Sequence, residues 1–354
     1  MSQAIAYPYA DAQPEFGQLF EIREGVYWVR MPLPFALDHI NLWLIKDEWQ
    51  GQKGWTLIDT GVNTSKVKAY WEEIFSQHLE GLPILRVVVT HMHPDHVGLA
   101  GWCCERWQAP LFMSMTDYLF TRLWIDAADD EGGGPNGRAA ARFFKQHGLL
   151  DEALQTDIAQ RASYFPNLVT PIPRQFHRLT NGESLQMGGH DWRIIVGYGH
   201  APEHVALYCE ALSLLISGDM VLPRISTNVS VFDYEPEGDP LGLFLHSLRD
   251  FEPLPEDTLI LPSHGRPFVG LHTRLEQLHS HHRDRLQECL AACATGLTAF
   301  ELLPVLFKRE LDVHQLSFAL GEAIAHLHRL WFQGVVRRDV DAKGCYRFYA
   351  LGPV

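Results

Sequence analysis

A run of apolar residues that ends in a cluster of metal-binding side chains constrains the fold of this chain most. Residues 85–89 have the composition of a buried β-strand, and the turn behind them carries His91, His93, Asp95 and His96. His91 and His93 are two positions apart, so they share one face of an extended chain. Asp95 and His96 follow a proline, where the chain turns, and can face a second centre. The spacing therefore predicts two adjacent metal ions rather than one.

Four other apolar runs end in turns that contain Gly or Pro and one metal-capable residue. These residues are Asp59, His200, Asp219 and His264. Turns of this composition allow the backbone to approach a ligand or metal closely. Further ligands are therefore expected from several strand ends.

In this order, the motifs resemble those of the metallo-β-lactamase superfamily of metal-dependent hydrolases, over about residues 20–270. The matching segments are Asp59-Thr60-Gly61, His91-Met92-His93-Pro94-Asp95-His96, Gly199-His200, Gly218-Asp219 and Ser263-His264-Gly265. The resemblance implies an α/β fold, the αββα metallo-β-lactamase sandwich, in which two sheets lie between two layers of helices. The alternation of strand-like and helix-like segments around two β-rich halves agrees with this fold.

The resemblance also implies a role for each residue of the motifs. It assigns seven ligands to two ions, with His91, His93 and His200 on the first, Asp95, His96 and His264 on the second, and Asp219 between them. Asp59 falls where the family has a carboxylate that orients a ligand from outside the ligand set. His204 is expected beside the site, as an orienting or structural residue.

A set of histidine and carboxylate ligands without thiolates suits zinc, and also manganese or iron. Two such ions, about 3.5–4 Å apart, share a bridging water and lower its pKa. A bridging hydroxide is therefore the expected nucleophile, and no serine or cysteine nucleophile is needed. Asp95 is expected to act catalytically as well, as a proton shuttle to the leaving group.

The identity of two ligands indicates a branch of the superfamily. Position 93 is His, where the similar flavodiiron proteins carry Glu, and position 219 is Asp, where two-zinc β-lactamases tend to carry Cys. The pattern is most similar to the glyoxalase II-like branch. This resemblance implies hydrolysis of a small thioester or ester, such as an acyl-thiol conjugate or a lactone. The alternatives are a metal-dependent endoribonuclease and an iron-dependent persulfide dioxygenase.

Residues 113–172 are predicted to form a helical cap insertion within a hydrolase domain of residues 1–270. Helices are expected over 114–126, 137–147 and 150–164, and a mobile loop over 129–137. Candidates for an apolar substrate pocket are Tyr118, Trp124, Phe143, Phe144, Tyr164 and Phe165. Only one or two of them are expected to contact substrate, while the others pack the cap onto the core. Arg224 could equally bind an anionic substrate group or pair with a structural acid.

Residues 271–354 are predicted to form a linker helix followed by a small winged-helix-like domain. Helices are expected over 299–307 and 315–333, and a hairpin over 335–339 and 346–350. Winged helices often bind nucleic acid, but basic and acidic residues nearly balance here, which favours packing or a homodimer contact. The histidines at 279, 281 and 282 are interpreted as a solvated helix face rather than another metal site.

Composition limits the possible partners and compartments. A net charge of −14 argues against a surface that binds nucleic acid, so a small-molecule substrate is expected. No apolar run approaches the roughly 20 residues of a membrane span, and no membrane association is expected. The six cysteines contain no C-x-x-C pair, and no signal-peptide pattern is visible. A cytoplasmic location with free thiols is therefore expected.

Overall fold

A computed structural model describes residues 5–35, 37–126 and 136–352. The elements of the first half are β1 (Leu19–Arg23), β2 (Val26–Pro32), β3 (His39–Trp49), β4 (Gln52–Ile58), α1 (Ser65–Gln77), β5 (Ile84–Val88), α2 (Pro94–Val97), α3 (Ala100–Trp107), β6 (Leu111–Met113), α4 (Met115–Asp126), α5 (Arg138–Gln146), α6 (Glu152–Ala159), α7 (Tyr164–Leu168) and β7 (His177–Arg178). Strands β1 to β7 form one sheet in sequence order. The sheet is antiparallel up to β4 and parallel from β4 to β7.

The second half contains a five-stranded sheet and most of the remaining helices. Its elements are β8 (Ser184–Met187), β9 (His190–Gly197), β10 (His204–Cys209), β11 (Leu214–Gly218), α8 (Pro240–Ser247), β12 (Leu259–Pro262), α9 (Leu271–Ala292), α10 (Ala299–Leu306), α11 (Val313–Phe332), β13 (Val336–Val340) and β14 (Tyr346–Ala350). The five strands run in the order β12-β11-β10-β9-β8. The last two strands, β13 and β14, pair only with each other, as an antiparallel hairpin.

Three hydrophobic cores show how the sheets and helices are layered. One core joins the facing sides of the two sheets and contains Trp28, Trp43 and Trp192. A second core lies between the outer face of the first sheet and helices α1, α3, α4 and α7. The third lies between the outer face of the second sheet and the helices of the second half, together with α5 and α6. This helix–sheet–sheet–helix order confirms the predicted αββα sandwich.

Local sequence explains why the strands near the site form. All five residues of β5 are buried, as expected for a parallel strand that is covered on both faces. Helix α1 begins at Thr64, whose side chain accepts a hydrogen bond from the Val67 N–H, a favourable helix start. Its buried side chains Val67, Trp71 and Ile74 are spaced by three and four residues, so they form one face that packs on the first sheet.

The insertion between β6 and β7 is helical, as predicted, but only part of it lies near the site. Residues 129–135 of the predicted mobile loop lie outside the described residues. Helices α5 and α6 pack into the third core, where they contact the C-terminal helices. These two helices of the insertion therefore belong to the core that the C-terminal helices share.

The C-terminal segment has the predicted order of long helix, two helices and hairpin. It shares a hydrophobic core with the second sheet, in which Phe268, Leu320 and Phe348 are fully buried. His282 is also buried, with its Nδ1 3.4 Å from Nε2 of His326 on α11. The interpretation of residues 279–282 as a solvated face is therefore wrong for His282. None of the helices in the described parts of the chain has the length and hydrophobicity of a membrane span.

Candidate metal centre

The predicted ligands meet at one edge of the sandwich because each follows the end of a strand. Strand β4 ends before Asp59 and runs parallel to β5, which leads to His91. Strand β11 ends before Asp219 and runs parallel to β12, which leads to His264. The carboxyl ends of parallel strands meet at the same edge of a sheet, and this edge is where ligands bind in such folds. His200 follows β9, which reaches the same edge.

Three imidazoles form the first group of possible ligands. The Nε2 atom of His91 lies 2.9 Å from His93 Nδ1 and 3.2 Å from His200 Nε2, and the latter two atoms are 3.1 Å apart. His200 Nδ1 donates a hydrogen bond to the Asn228 carbonyl oxygen at 2.7 Å, so the His200 Nε2 atom carries a lone pair. Three ring nitrogens this close together match the ligand set of one ion with bonds of about 2.0–2.1 Å.

Asp95, His96 and His264 form a second group. Asp95 Oδ2 lies 3.6 Å from His96 Nε2 and 3.3 Å from His264 Nε2. The other nitrogen of each ring is engaged: His96 Nδ1 donates to Asp59 Oδ2 at 2.7 Å, and His264 Nδ1 donates to the His39 carbonyl oxygen at 2.9 Å. In the neutral form of each ring, the Nε2 atom that faces Asp95 would therefore carry the lone pair.

Asp219 lies between the two groups, and each of its oxygens faces one of them. Oδ2 is 3.3 Å from His200 Nε2, whereas Oδ1 is 3.6 Å from both His96 Nε2 and His264 Nε2. Both Asp219 Oδ1 and His96 Nε2 are buried without a hydrogen-bond partner among the described residues. An unsatisfied buried polar atom costs roughly 1–3 kcal/mol, and a cation between them would satisfy both. The residues thus fit two metal ions.

Burial and neighbouring charges keep these groups in the protonation states that metal binding needs. Burial, with the nearby His200, lowers the pKa of His93 to about 3, and burial lowers the pKa of His91 well below its usual value. Burial opposes ionisation of Asp95, but His96 and His264 outweigh it and lower its pKa to about 2. Two neutral imidazoles and an ionised carboxylate are therefore available at neutral pH.

The same balance gives a different result for His96. Burial lowers its pKa, but the carboxylates of Asp95, Asp59 and Asp219 outweigh burial and raise the pKa to about 9. A cation bound at the second group would itself neutralise these carboxylates, so they would no longer stabilise the protonated form of His96. Metal binding there would therefore release protons.

Asp59 lies behind the second group and orients His96. Its Oδ1 accepts a hydrogen bond from the Thr90 N–H at 2.8 Å, and its Oδ2 accepts one from the Thr90 hydroxyl at 2.7 Å. Asp59 is a non-glycine residue with a φ of +57°, a conformation that costs free energy and is found at functional sites. These contacts fix the direction of the carboxylate, and through it the tautomer of His96.

His204 supports Asp219 from outside the two ligand groups. Its Nε2 accepts a hydrogen bond from the Asp219 N–H at 3.0 Å, and its ring lies 4.6 Å from that of His91. Gly218 has a φ of +53°, and a Cβ there would lie 2.4 Å from the His204 ring. The glycine before Asp219 is therefore needed both for the turn and for the close approach of His204.

Asp117 is a buried residue of the site that sequence reasoning missed. Its Oδ1 accepts from the Met92 N–H at 2.8 Å, and its Oδ2 accepts from the Glu203 N–H at 2.6 Å. Asp117 thus ties the loop of His91 to the loop of His200, and burial raises its pKa to about 6. In the sequence, Asp117 lies in the first turn of a predicted helix, where acidic residues are common. This position does not indicate that it connects the loops of His91 and His200.

A cavity of about 330 Å³ opens onto both groups. Asp95 and Asp219 form its base, and Tyr164 is the predicted pocket residue that lines it. Much of the opposite wall comes from residues after position 300 that were not predicted, among them Phe307, His314, Phe318 and Glu322. The C-terminal segment therefore does more than pack against the hydrolase core, because it forms part of the cavity.

The other predicted substrate residues lie away from this cavity, which corrects the sequence analysis. Tyr118 is buried, and its hydroxyl donates to the carbonyl oxygens of Pro173 and Arg174. Phe143 and Phe144 are buried in the third core. Tyr118, Phe143 and Phe144 therefore pack in the hydrophobic cores and do not line the cavity, contrary to the prediction.

Arg224 is exposed, and its guanidinium carbon lies 5.8 Å from the centre of the Tyr7 ring. Its side chain does not line the cavity. Within the described residues Arg224 therefore packs on an aromatic ring rather than pairing with a structural acid.

Two family models match the chain. The model of the metallo-beta-lactamase superfamily matches residues 36–264, a range that contains all seven candidate ligands. The model described as metallo-beta-lactamase-like, C-terminal domain, matches residues 286–351. The two matches thus cover both the strand-end motifs and the segment that forms the cavity wall.

Similar proteins agree with these models. The crystal structure of a beta-lactamase domain protein from Burkholderia ambifaria is 49% identical, covers 98% of each chain and has a TM-score of 0.90. The probable metallo-hydrolase YqjP of Bacillus subtilis (strain 168) is 23% identical over 310 residues, 86% of this chain and 91% of that protein. Hydroxyacylglutathione hydrolase GloC of Haemophilus influenzae is 23% identical over 220 residues, 61% of this chain and 82% of that protein.

Proposed function

The chain belongs to the metallo-β-lactamase superfamily, and we propose that it is a dinuclear metal-dependent hydrolase of small thioesters or esters. The observation that carries the proposal is the position of Asp219, whose two carboxylate oxygens each face a different group of ligands. A carboxylate in this position suits two ions that act on one substrate. The glyoxalase II-like branch is the part of the superfamily that we propose for it.

His91, His93 and His200 would hold one ion, Asp95, His96 and His264 the other, and Asp219 both. Zinc is the metal we propose first, because the donors are imidazoles and carboxylates in groups of three or four; manganese and iron accept the same donors. When bound, two divalent ions supply a water of lowered pKa and polarise the carbonyl group that is attacked.

Asp95 is the residue that we propose to move the proton. It lies at the base of the cavity with 17% of its side chain exposed, against 9% for Asp219. Its position beside the cavity allows its carboxylate to take a proton from the attacking water and pass it to the leaving thiol or alcohol. Asp59 and His204 hold His96 and Asp219 in place while this occurs.

The cavity supports a small substrate. Its volume of about 330 Å³ falls in the range of small-molecule sites, and Phe35, Phe307 and Phe318 give it apolar walls suited to an acyl chain. A relative that carries the name hydroxyacylglutathione hydrolase supports a thioester among the substrates. The net charge of −14 does not favour RNA. All six cysteines are buried and free, and we propose that the protein works in the reducing cytoplasm.

Hydrolysis of a defined panel by purified protein tests this proposal. The protein is loaded with zinc, manganese or iron, its metal content is counted, and acyl thioesters and lactones are offered. Cleavage by protein with two ions per chain is the expected result. Asp95→Asn should lose this activity when it is assayed at metal concentrations that keep both ions bound. Intact substrates in the presence of two ions would contradict it. One iron per chain with oxygen uptake on a persulfide would indicate a dioxygenase instead, and binding of RNA at low salt would favour a nuclease.

A further inference from the structure

We infer that Glu322, on the C-terminal helix α11, selects substrates whose acyl part carries a hydroxyl or ammonium group. The inference rests on the proposed function for the identity of the bond that is broken. It concerns a different part of the cavity, the wall formed by the face of α11 that lines it. It assigns to the C-terminal segment a role in specificity.

Helix α11 presents one face to the cavity. Gln315, Phe318, Ala319 and Glu322 all line it, and their spacing of three and four residues places them along the same side of a helix. Glu322 is the only acidic residue on this face. It lies among mainly apolar neighbours on its own helix, and part of its side chain is exposed.

A hydrogen bond fixes one of the two carboxylate oxygens of Glu322. Asn228 Nδ2 donates to Glu322 Oε2 at 3.2 Å, and the Ser230 hydroxyl donates to Asn228 Oδ1 at 2.8 Å. The serine contact sets the orientation of the Asn228 amide, so its N–H groups point towards Glu322. The main-chain carbonyl oxygen of Asn228 in turn accepts a hydrogen bond from His200 Nδ1 at 2.7 Å. Glu322 therefore lies on the side of the cavity that is next to the first group of ligands.

The other oxygen of Glu322 has no protein partner among the residues that the structure describes. Within the described residues Glu322 forms no ion pair, and the Asn228 contact is its hydrogen bond. Arg285, a cation that acts on Glu322, forms its own ion pair with Glu288 at 2.8 Å. Burial raises the pKa of Glu322 to about 7, because it disfavours the ionised carboxylate. A donor on the substrate would supply this missing partner.

The aromatic residues that line the cavity suit the rest of the acyl group. Phe35 lies 6.2 Å from the Tyr164 ring and 5.5 Å from the His314 ring, and His314 lies 5.1 Å from Phe318. These rings form an aromatic wall from three distant parts of the chain. The preferred substrate is therefore mainly apolar, with one donor group for Glu322. Arg309 also lines the cavity, but it donates to Gln315 Oε1 at 2.6 Å. An anionic acyl group that lies beside Glu322 is repelled by it.

Four thioesters of one small thiol test this inference, with butanoyl, 3-hydroxybutanoyl, 4-aminobutanoyl and succinyl as the acyl groups. In the metal-loaded wild-type protein we expect kcat/KM to be about tenfold or more higher for the hydroxyl or ammonium compound than for butanoyl, and lowest for succinyl. Glu322→Gln keeps an acceptor for Asn228 but loses the charge. It should lose the preference for ammonium and accept succinyl better, while its metal content and Tm stay unchanged. A preference for the ammonium compound alone would show that the charge of Glu322 causes the selectivity. A preference for both donor compounds would show that the hydrogen bond causes it.

Glu310→Gln is the matched control, because it removes the same charge from an exposed residue that does not line the cavity. It should retain the wild-type order of the four substrates. Equal rates for butanoyl and both donor compounds in the wild-type protein would overturn the inference. An equal loss for all four in Glu322→Gln, accompanied by loss of metal, would also overturn it, since Glu322 would then only support His200.

Binding separates this inference from the proposed function. The four compounds are titrated calorimetrically into metal-loaded Asp95→Asn, and into the same variant with Glu322→Gln added. If no compound is hydrolysed by the wild-type protein but the donor compounds bind about tenfold tighter and lose this advantage with Glu322→Gln, the proposed hydrolysis fails and the role of Glu322 stands. Equal binding of all four would overturn the role of Glu322, whatever the activity.

Discussion

The two ligand groups and the wall formed by α11 line the same cavity, but they are held in place in different ways. On the ligand side, buried hydrogen bonds fix the rings: His96 is bound to Asp59, His200 to the Asn228 carbonyl oxygen, and Asp219 to His204. On the wall, Phe318 and Glu322 are partly exposed. The packing of one helix in the third core positions both, and one hydrogen bond, from Asn228 Nδ2, is added at Glu322.

This difference separates the chemistry of the site from its selectivity. A ligand that must meet a metal within a few tenths of an ångström needs a fixed ring and a fixed tautomer. A wall that contacts substrate needs only shape and one or two polar groups. Changes on the ligand side should therefore affect every substrate, whereas changes on the wall should alter the order of substrates.

The largest effect is expected from Asp219→Ala. The substitution removes the carboxylate that faces both groups, so both ions should be lost or weakly held. Activity on every substrate should fall by more than the roughly 10- to 100-fold that loss of a residue outside the ligand set costs. Metal content by mass spectrometry and kcat/KM measure the two effects. Two tightly bound ions in Asp219→Ala would contradict the bridging position.

A smaller effect, limited to one group, is expected from Asp59→Asn. The amide has one acceptor oxygen, so it cannot accept from the Thr90 N–H on one side and from His96 on the other as the carboxylate does. The second ion should bind roughly 10- to 100-fold more weakly, while the first, held by His91, His93 and His200, keeps its affinity. Titration with a metal chelator resolves the two affinities. Equal weakening of both ions would show that the groups are not held independently.

The ligand side could be predicted from sequence because its residues lie in turns directly after buried strands. The order His-x-His-x-Asp-His places four donors within six positions, and the neighbouring turns carry one donor each. The supporting contacts had no such signal. His39 and Asn228 act through backbone carbonyl oxygens, which any residue could supply, and Asp117 reads as an ordinary helix start.

The fold could be predicted to the level of its elements, but the wall could not. The helices and hairpin after position 296 follow the predicted order, because apolar periodicity and turn residues define them locally. Helix α11 has buried residues on most of its sides, so periodicity does not tell which side faces the cavity. The aromatic residues of the insertion misled for a related reason: Phe143 and Phe144 fill a core as readily as a substrate pocket.

On the wall, Phe318→Ala should change selectivity without changing metal binding. The ring lines the cavity beside His314, and its loss removes apolar contact with an acyl chain. KM for a butanoyl or longer thioester should rise about tenfold, while kcat and metal content change little. Phe332→Ala, at the exposed end of the same helix, is the control and should resemble wild type. A large fall in kcat with unchanged KM would show that Phe318 supports the reaction itself rather than substrate selectivity.

The smallest effect is expected on the stability of the contact between α9 and α11, where His282 and His326 form a buried pair. Burial lowers the pKa of His282 to about 3 and that of His326 to about 4, below the value of about 6.5 in an unfolded chain. Between these values the unfolded chain binds more protons than the folded protein, so stability is full above pH 6.5 and is lost as the pH falls towards 4.

His282→Gln removes one of these groups, so the Tm of the variant should fall by less than that of the wild-type protein between pH 7 and pH 5. The difference should be a few degrees at most. His246→Gln is the control, because His246 is exposed on α8 and does not act on the buried pair, and it should follow the wild-type curve. Titration of the metal ligands is common to all three proteins and cancels in the comparison. Parallel curves of Tm against pH for His282→Gln and the wild-type protein would contradict this prediction. They would show that acid destabilises the protein at a site other than this histidine pair.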